Sequence, residues 1–138
     1  AVGCTDYVQV GVLRNEALLL GLACGLVVNN ILVVNNYRDV EEDRLADKKT
    51  VVVLFGRGWA LLQYGLSLLF AAGVLGWFVS VGYGYLVLLG CLPLLFGFEQ
   101  LCRLKKAVKA EEYLASLKGA ALVVVGFSLL TSIGLIVG

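Results

Sequence analysis

Residues 16–50 read "EALLLGLACGLVVNNILVVNNYRDVEEDRLADKKT". The stretch changes character at Arg38. Between Glu16 and Arg38 lie 21 residues without a charge, and an α-helix needs about 20 apolar residues to cross the hydrocarbon core of a bilayer. Residues 38–50 then carry nine charged side chains of both signs. A membrane helix that opens directly into such a segment sets two questions: how the rest of the chain is organised, and what the charge is for.

The same pattern recurs along the chain. Arg57 and Glu99 bracket 41 uncharged residues, and Lys118 is followed by 20 more. The longer run exceeds one crossing, and "SVGYG" (80–84) inside it places two glycines around a tyrosine, as a tight turn requires. The reading is an all-α, polytopic membrane helical bundle over residues 1–138, with transmembrane helices at about 16–38, 58–80, 84–105 and 114–137 and a site loop at 38–57. A membrane barrel would show period-two polarity instead. The composition agrees: 60% of the 138 residues are hydrophobic, and the mean hydropathy is +0.92. Pro93, the only proline, predicts a kink in the third crossing. Trp59, Trp77, Tyr83, Tyr85 and Tyr113 fall near predicted helix ends, as interfacial aromatics do.

The net charge of +1 conceals an uneven distribution. Ten of the eleven basic residues belong to one side, in the loops after the first and third crossings and at the start of the last; only Arg14 belongs to the other. The positive-inside rule makes the basic side cytoplasmic. An integral protein of a cell inner or plasma membrane, or of a plastid-type membrane, is expected, with the lipid bilayer as partner and no nucleic acid. There is no histidine, which excludes histidine metal sites and Ser–His catalysis. The four cysteines form no CxxC pair and read as small apolar fillers. With no methionine and Ala1 at its start, the chain reads as part of a longer protein.

Within the first crossing "VVNN" occurs twice, at 27–30 and 33–36. Asn29 and Asn30 fall at mid-bilayer, where amides need partners; they either hydrogen-bond between helices or line a polar cavity. Ala17, Gly21 and Gly25 have the small-xxx-small spacing of closely packed membrane helices.

If the helix continues past Tyr37, Asn35, Asp39, Asp43 and Asp47 fall four apart on one face, with Asn36 at its edge. Carboxylates so placed repel one another unless a cation lies between them. Mg2+ takes hard oxygen ligands, typically one or two carboxylates together with phosphates and water. Arg38, Arg44, Lys48 and Lys49 flank the stripe and supply cations for phosphate oxygens. Spacing alone also allows an ordinary solvated loop. It does not allow an EF-hand, whose glycine turn and closing glutamate are absent.

The segment "VVNNYRDVEEDRLADKKT" resembles the second aspartate-rich motif of the UbiA superfamily of intramembrane aromatic prenyltransferases, in particular its dihydroxynaphthoate branch with "NNxRDxxxDxxxGKxT" followed by "LAVRLG". Asn35, Asn36, Arg38, Asp39, Asp43, Lys48 and Thr50 match in register, and "CTDYVQVG" (4–11) is similar to that branch's "GTYYVQTG". Two positions depart: Asp47 stands where the family usually has glycine, and Leu54 where it has arginine.

The resemblance implies a fold of about nine membrane helices, of which this chain holds the last four, with a first aspartate motif in a missing amino-terminal half of the same protein. It implies Mg2+-dependent transfer of a polyprenyl or phytyl group from its diphosphate to 1,4-dihydroxy-2-naphthoate, in menaquinone or phylloquinone biosynthesis. In this reading Asp39 and Asp43 bind Mg2+, with Asn35 or Asn36 orienting a carboxylate or joining the metal. Arg38, Arg44, Lys48 and Lys49 contact diphosphate, and either lysine can point inward. Thr50 caps the next turn or bonds diphosphate. This half alone is expected to be inactive. Other acceptors, such as 4-hydroxybenzoate or homogentisate, are alternatives, as is a non-catalytic half-length membrane module that binds anionic lipid through its basic loops.

Overall fold

The computed structural model describes residues 2–138; Ala1 lies outside them. The described residues form helices and no strand: α1 (Val2–Val10), α2 (Asn15–Arg38), α3 (Val40–Leu45), α4 (Val51–Phe55), α5 (Arg57–Ser80), the 3-10 segment η1 (Tyr85–Gly90), α6 (Cys91–Lys106) and α7 (Ala110–Val137). Four stretches are long and apolar enough to cross a membrane: α2, α5, η1 with α6, and α7. Their order puts the α2–α5 and α6–α7 connections at one end and the turn after α5 at the other.

Three of the predicted boundaries hold to within a residue or two, and the fourth crossing begins four residues early, at Ala110. The cause is the Glu112 carboxylate, whose Oε2 accepts the backbone N–H groups of Val108 (2.7 Å) and Lys109 (3.0 Å). Those donors have no partner inside the helix, so the carboxylate extends it toward the loop. The predicted turn after α5 is present, with Gly82 at φ 101°.

The third crossing changes its winding just before its proline: Pro93 is the third residue of α6, and the turn that precedes it, where a proline ring crowds the carbonyl four residues back, is the 3-10 segment η1. η1 lies against α7 at Gly134, where an added Cβ would sit 2.6 Å from Val87 Cα. Without a side chain at that position the two backbones touch.

The core is formed by the inward faces of the crossings. α2 contributes Ala23, Val27, Val33, Val34 and Tyr37; α5 contributes Ala60, Tyr64, Leu68, Ala71 and Leu75; α7 contributes Ala120, Val123 and Phe127. Outward positions such as Leu32, Leu66, Leu95, Leu122 and Leu129 are exposed and apolar, as a lipid-facing surface must be. Of the paired asparagines, Asn30 is buried. Its Nδ2 donates to Ser67 Oγ of α5 at 2.7 Å, a separation of 2.9 Å links that hydroxyl to Asn30 Oδ1, and Ser67 Oγ also lies 2.7 Å from the Tyr64 carbonyl. Asn30 therefore bonds between helices.

Candidate diphosphate site at the end of the first crossing

α2 ends at Arg38, but its hydrogen-bond ladder does not stop there. Asp39 N–H donates to the Asn35 carbonyl (2.9 Å), and Asp43 N–H donates to that of Asp39 (2.8 Å). Asn35, Asp39 and Asp43 thus follow one another at single-turn steps, as the spacing predicts. Successive residues rotate about 100° around the axis, so Asp39 projects about 200° from Tyr37, which belongs to the buried face. Asn35, Asn36 and Asp39 are half-buried, off the face of α2 that carries the buried Tyr37.

The predicted stripe fails at its fourth member. α3 closes with Asp47 N–H bonded to the Arg44 carbonyl (3.2 Å) and Lys48 N–H to the Asp43 carbonyl (2.9 Å), while Asp47 adopts φ 54°. This is a Schellman ending, whose left-handed residue is most often glycine. The departure of Asp47 from the family's glycine falls on that residue. Its backbone reverses the chain, so its side chain leaves the face shared by Asp39 and Asp43.

The same turn places Lys48. Its Nζ lies 2.8 Å from Asp43 Oδ1, and the Asp43 side chain is only 7% exposed against 64% for Lys48. The Asp43 carboxylate pushes the Lys48 ammonium above its usual pKa. Arg38 grips Asp39 with two bonds, Nε to Oδ1 at 2.5 Å and Nη2 to Oδ2 at 2.9 Å. That guanidinium holds the Asp39 carboxyl below the usual carboxylate range, against a smaller opposing effect of burial. Each aspartate therefore presents a negative charge already matched to a cation.

The other predicted site residues are less gathered. Arg44 pairs with Glu41 (3.0 Å) on the exposed face of α3. Lys49 is exposed and forms no ion pair among the described residues. Thr50 caps α4, its Oγ1 accepting Val53 N–H at 3.3 Å. Among the described residues no three acidic or cysteine side chains cluster as a metal site.

Sequence reasoning missed what joins the two basic loops. The Arg57 guanidinium lies 5.2 Å over the Tyr37 ring, and Tyr113 of α7 meets that ring at a centroid distance of 6.3 Å. Tyr113 O–H in turn donates to the Ala107 carbonyl at 2.9 Å. Tyr37, between Asn36 and Arg38, could have been singled out as an aromatic on the inward face of the motif.

The sequence profile of the UbiA prenyltransferase family matches residues 2–122. The chain belongs to that family. Over 55 residues it is 36% identical to a 1,4-dihydroxy-2-naphthoate octaprenyltransferase of Haemophilus influenzae, a match that covers 40% of this chain and 18% of the relative. No solved structure matches the chain. Membership of the UbiA family and the four apolar crossings together make this an integral membrane protein with a prenyltransferase domain.

Proposed function

We propose that this chain forms one wall of a Mg2+-dependent prenyl-diphosphate site. The whole protein would transfer a polyprenyl or phytyl group to 1,4-dihydroxy-2-naphthoate for menaquinone or phylloquinone synthesis. The observation that carries the reading is the pair Asp39 and Asp43, one turn apart at the end of a membrane crossing, each held by a basic side chain. The naphthoate acceptor rests on the similarity to the Haemophilus enzyme and on the motif "NNYRDVEED". The excess of basic residues at this end favours a cytoplasmic orientation.

The donor set fits magnesium on the side these residues supply. Two carboxylates beside two asparagine amides are hard oxygen ligands, and the ion is ordinarily completed by phosphate oxygens and water. Asp39 and Asp43 would hold the metal, with Asn35 or Asn36 orienting them. Mg2+ bound there supplies positive charge against the negative charge that develops on the leaving diphosphate. Lys48 and Arg38, which border these carboxylates, would donate to diphosphate oxygens, with Lys49 beside them. The apolar flanks of the crossings offer the prenyl chain surroundings free of water. The C–O bond would break with diphosphate leaving, the electron-rich ring carbon would attack the allylic cation to form the new C–C bond, and loss of the ring's carboxylate as CO2 would restore the aromatic ring.

The test is transfer of a radiolabelled prenyl group by the full-length protein in proteoliposomes, with dihydroxynaphthoate, 4-hydroxybenzoate and homogentisate offered separately. Transfer to naphthoate that requires Mg2+ and disappears in Asp39→Asn supports the reading. Transfer to another acceptor alone refutes the naphthoate assignment, and transfer that survives Asp39→Asn refutes the site.

A further inference from the structure

The second basic loop has a different character from the first. Arg38, Arg44 and Lys48 of the first loop are each matched by a carboxylate. In the second, Arg103 pairs with Glu99 at 2.6 Å, whereas Lys105, Lys106 and Lys109 pair with no carboxylate among the described residues. Arg103 and Lys106 stand three apart near the end of α6 and form one wall of a cleft of about 280 Å³. Ala115 and Ser116 of α7 form the facing wall, and their small side chains leave the space open. Glu112 also lines the cleft, but its carboxylate is held by the Val108 and Lys109 amides.

Two further properties point to the ligand. The cleft lies where two crossings end, at the depth of lipid head groups. Beneath it, on the same helix faces, Leu95 and Phe96 of α6 and Leu122 of α7 are exposed. Cations above an apolar strip match a phospholipid better than a free ion: phosphate oxygens meet Arg103 and Lys106, and acyl chains follow the strip. The unpaired lysines alongside favour a head group with net negative charge.

We propose that this cleft binds the phosphate of an anionic phospholipid of the surrounding leaflet. The site is separate from Asp39 and Asp43, and its test does not depend on the transferase reading. The protein is released from nanodiscs containing equal phosphatidylglycerol and phosphatidylcholine, and retained lipid is identified by native mass spectrometry. Wild type and Asp39→Asn are expected to retain phosphatidylglycerol preferentially. Arg103→Gln with Lys106→Gln should lower that preference about 25-fold, since each basic residue near an anionic surface contributes roughly fivefold. Equal retention of both lipids by wild type would overturn the proposal, as would unchanged preference in the double variant. Displacement of phosphatidylglycerol by millimolar inorganic phosphate would reassign the cleft to a free anion. As a measurement independent of any variant, raising the salt concentration should erode the wild-type preference, and indifference to salt counts against the site.

Discussion

Lys48 turns back across the end of α3 and holds Asp43: an exposed ammonium lies 2.8 Å from a carboxylate that is 7% exposed. An enclosed carboxylate stripped of its partner is costly, so the pair behaves as a unit. Lys48→Gln is expected to raise KM for prenyl diphosphate at least tenfold and to lower the thermal midpoint of the protein. Lys48→Arg should recover most of the stability. Steady-state kinetics with differential scanning fluorimetry of the detergent-solubilised protein decide it, and wild-type kinetics in Lys48→Gln would remove Lys48 from the site.

Asp39 is expected to be indispensable. Losing one group that stabilises developing charge costs roughly 100- to 1000-fold in rate, so Asp39→Asn and Asp43→Asn should each fall by that much. Removing divalent cations with EDTA should abolish wild-type turnover, and added Mg2+ should restore it.

The pH dependence follows from the Arg38–Asp39 pair. The folded-state pKa of Asp39 is depressed by Arg38. The charged pair therefore contributes to stability at pH values above the unfolded carboxylate value of about 3.9, and the contribution is lost as pH falls through the lower folded value. Mg2+-dependent binding should accordingly show no acid limb from Asp39 between about pH 5 and 7, a range above ordinary carboxylate titration. Arg38→Gln should move that limb upward, toward the ordinary carboxylate range, in a pH titration of substrate binding.

Asp47 sits at φ 54°, a conformation that glycine adopts without steric cost. Asp47→Gly is expected to stabilise the protein by roughly 1 kcal/mol, whereas Asp47→Val should destabilise it by at least as much. Chemical unfolding of the two variants gives the answer, and a destabilised glycine variant would show that the Asp47 side chain makes a contact of its own.

Asn30 and Ser67 offer a test inside the bundle. Ser67→Ala leaves the Asn30 amide without its partner and is expected to cost about 1 kcal/mol. The double variant Asn30→Leu, Ser67→Ala should recover part of that loss, as measured by SDS unfolding.

Much of this arrangement could be read from the sequence because hydrocarbon leaves few options. Uncharged runs of fixed length can only be helices there, and so α2 and α5 fall within a residue of their expected limits. The Asn35–Asp39–Asp43 succession was legible for the same reason: it continues a helix already specified. Asp47 was misplaced because a four-residue spacing says nothing about where a helix ends; the Schellman turn is set by backbone geometry at Lys48. In the third crossing Pro93 marked the neighbourhood of an irregularity, but not that the turn before it would wind as a 3-10 helix. The Tyr37–Arg57–Tyr113 contact joins residues far apart in the chain and has no local signature.

η1 carries a consequence for the thickness of bilayer that the protein tolerates. The 16 residues of α6 rise only about 24 Å at 1.5 Å per residue, short of a hydrocarbon core of about 30 Å. The six residues of η1, wound more tightly at about 2.0 Å each, extend the crossing by about 12 Å. The other three crossings are spanned by uninterrupted α-helices of 24 residues or more. The third crossing thus reaches about 36 Å in all, the length of a 24-residue α-helix, so the tighter winding of η1 lets 22 residues span the thickness that α2 and α5 span with 24.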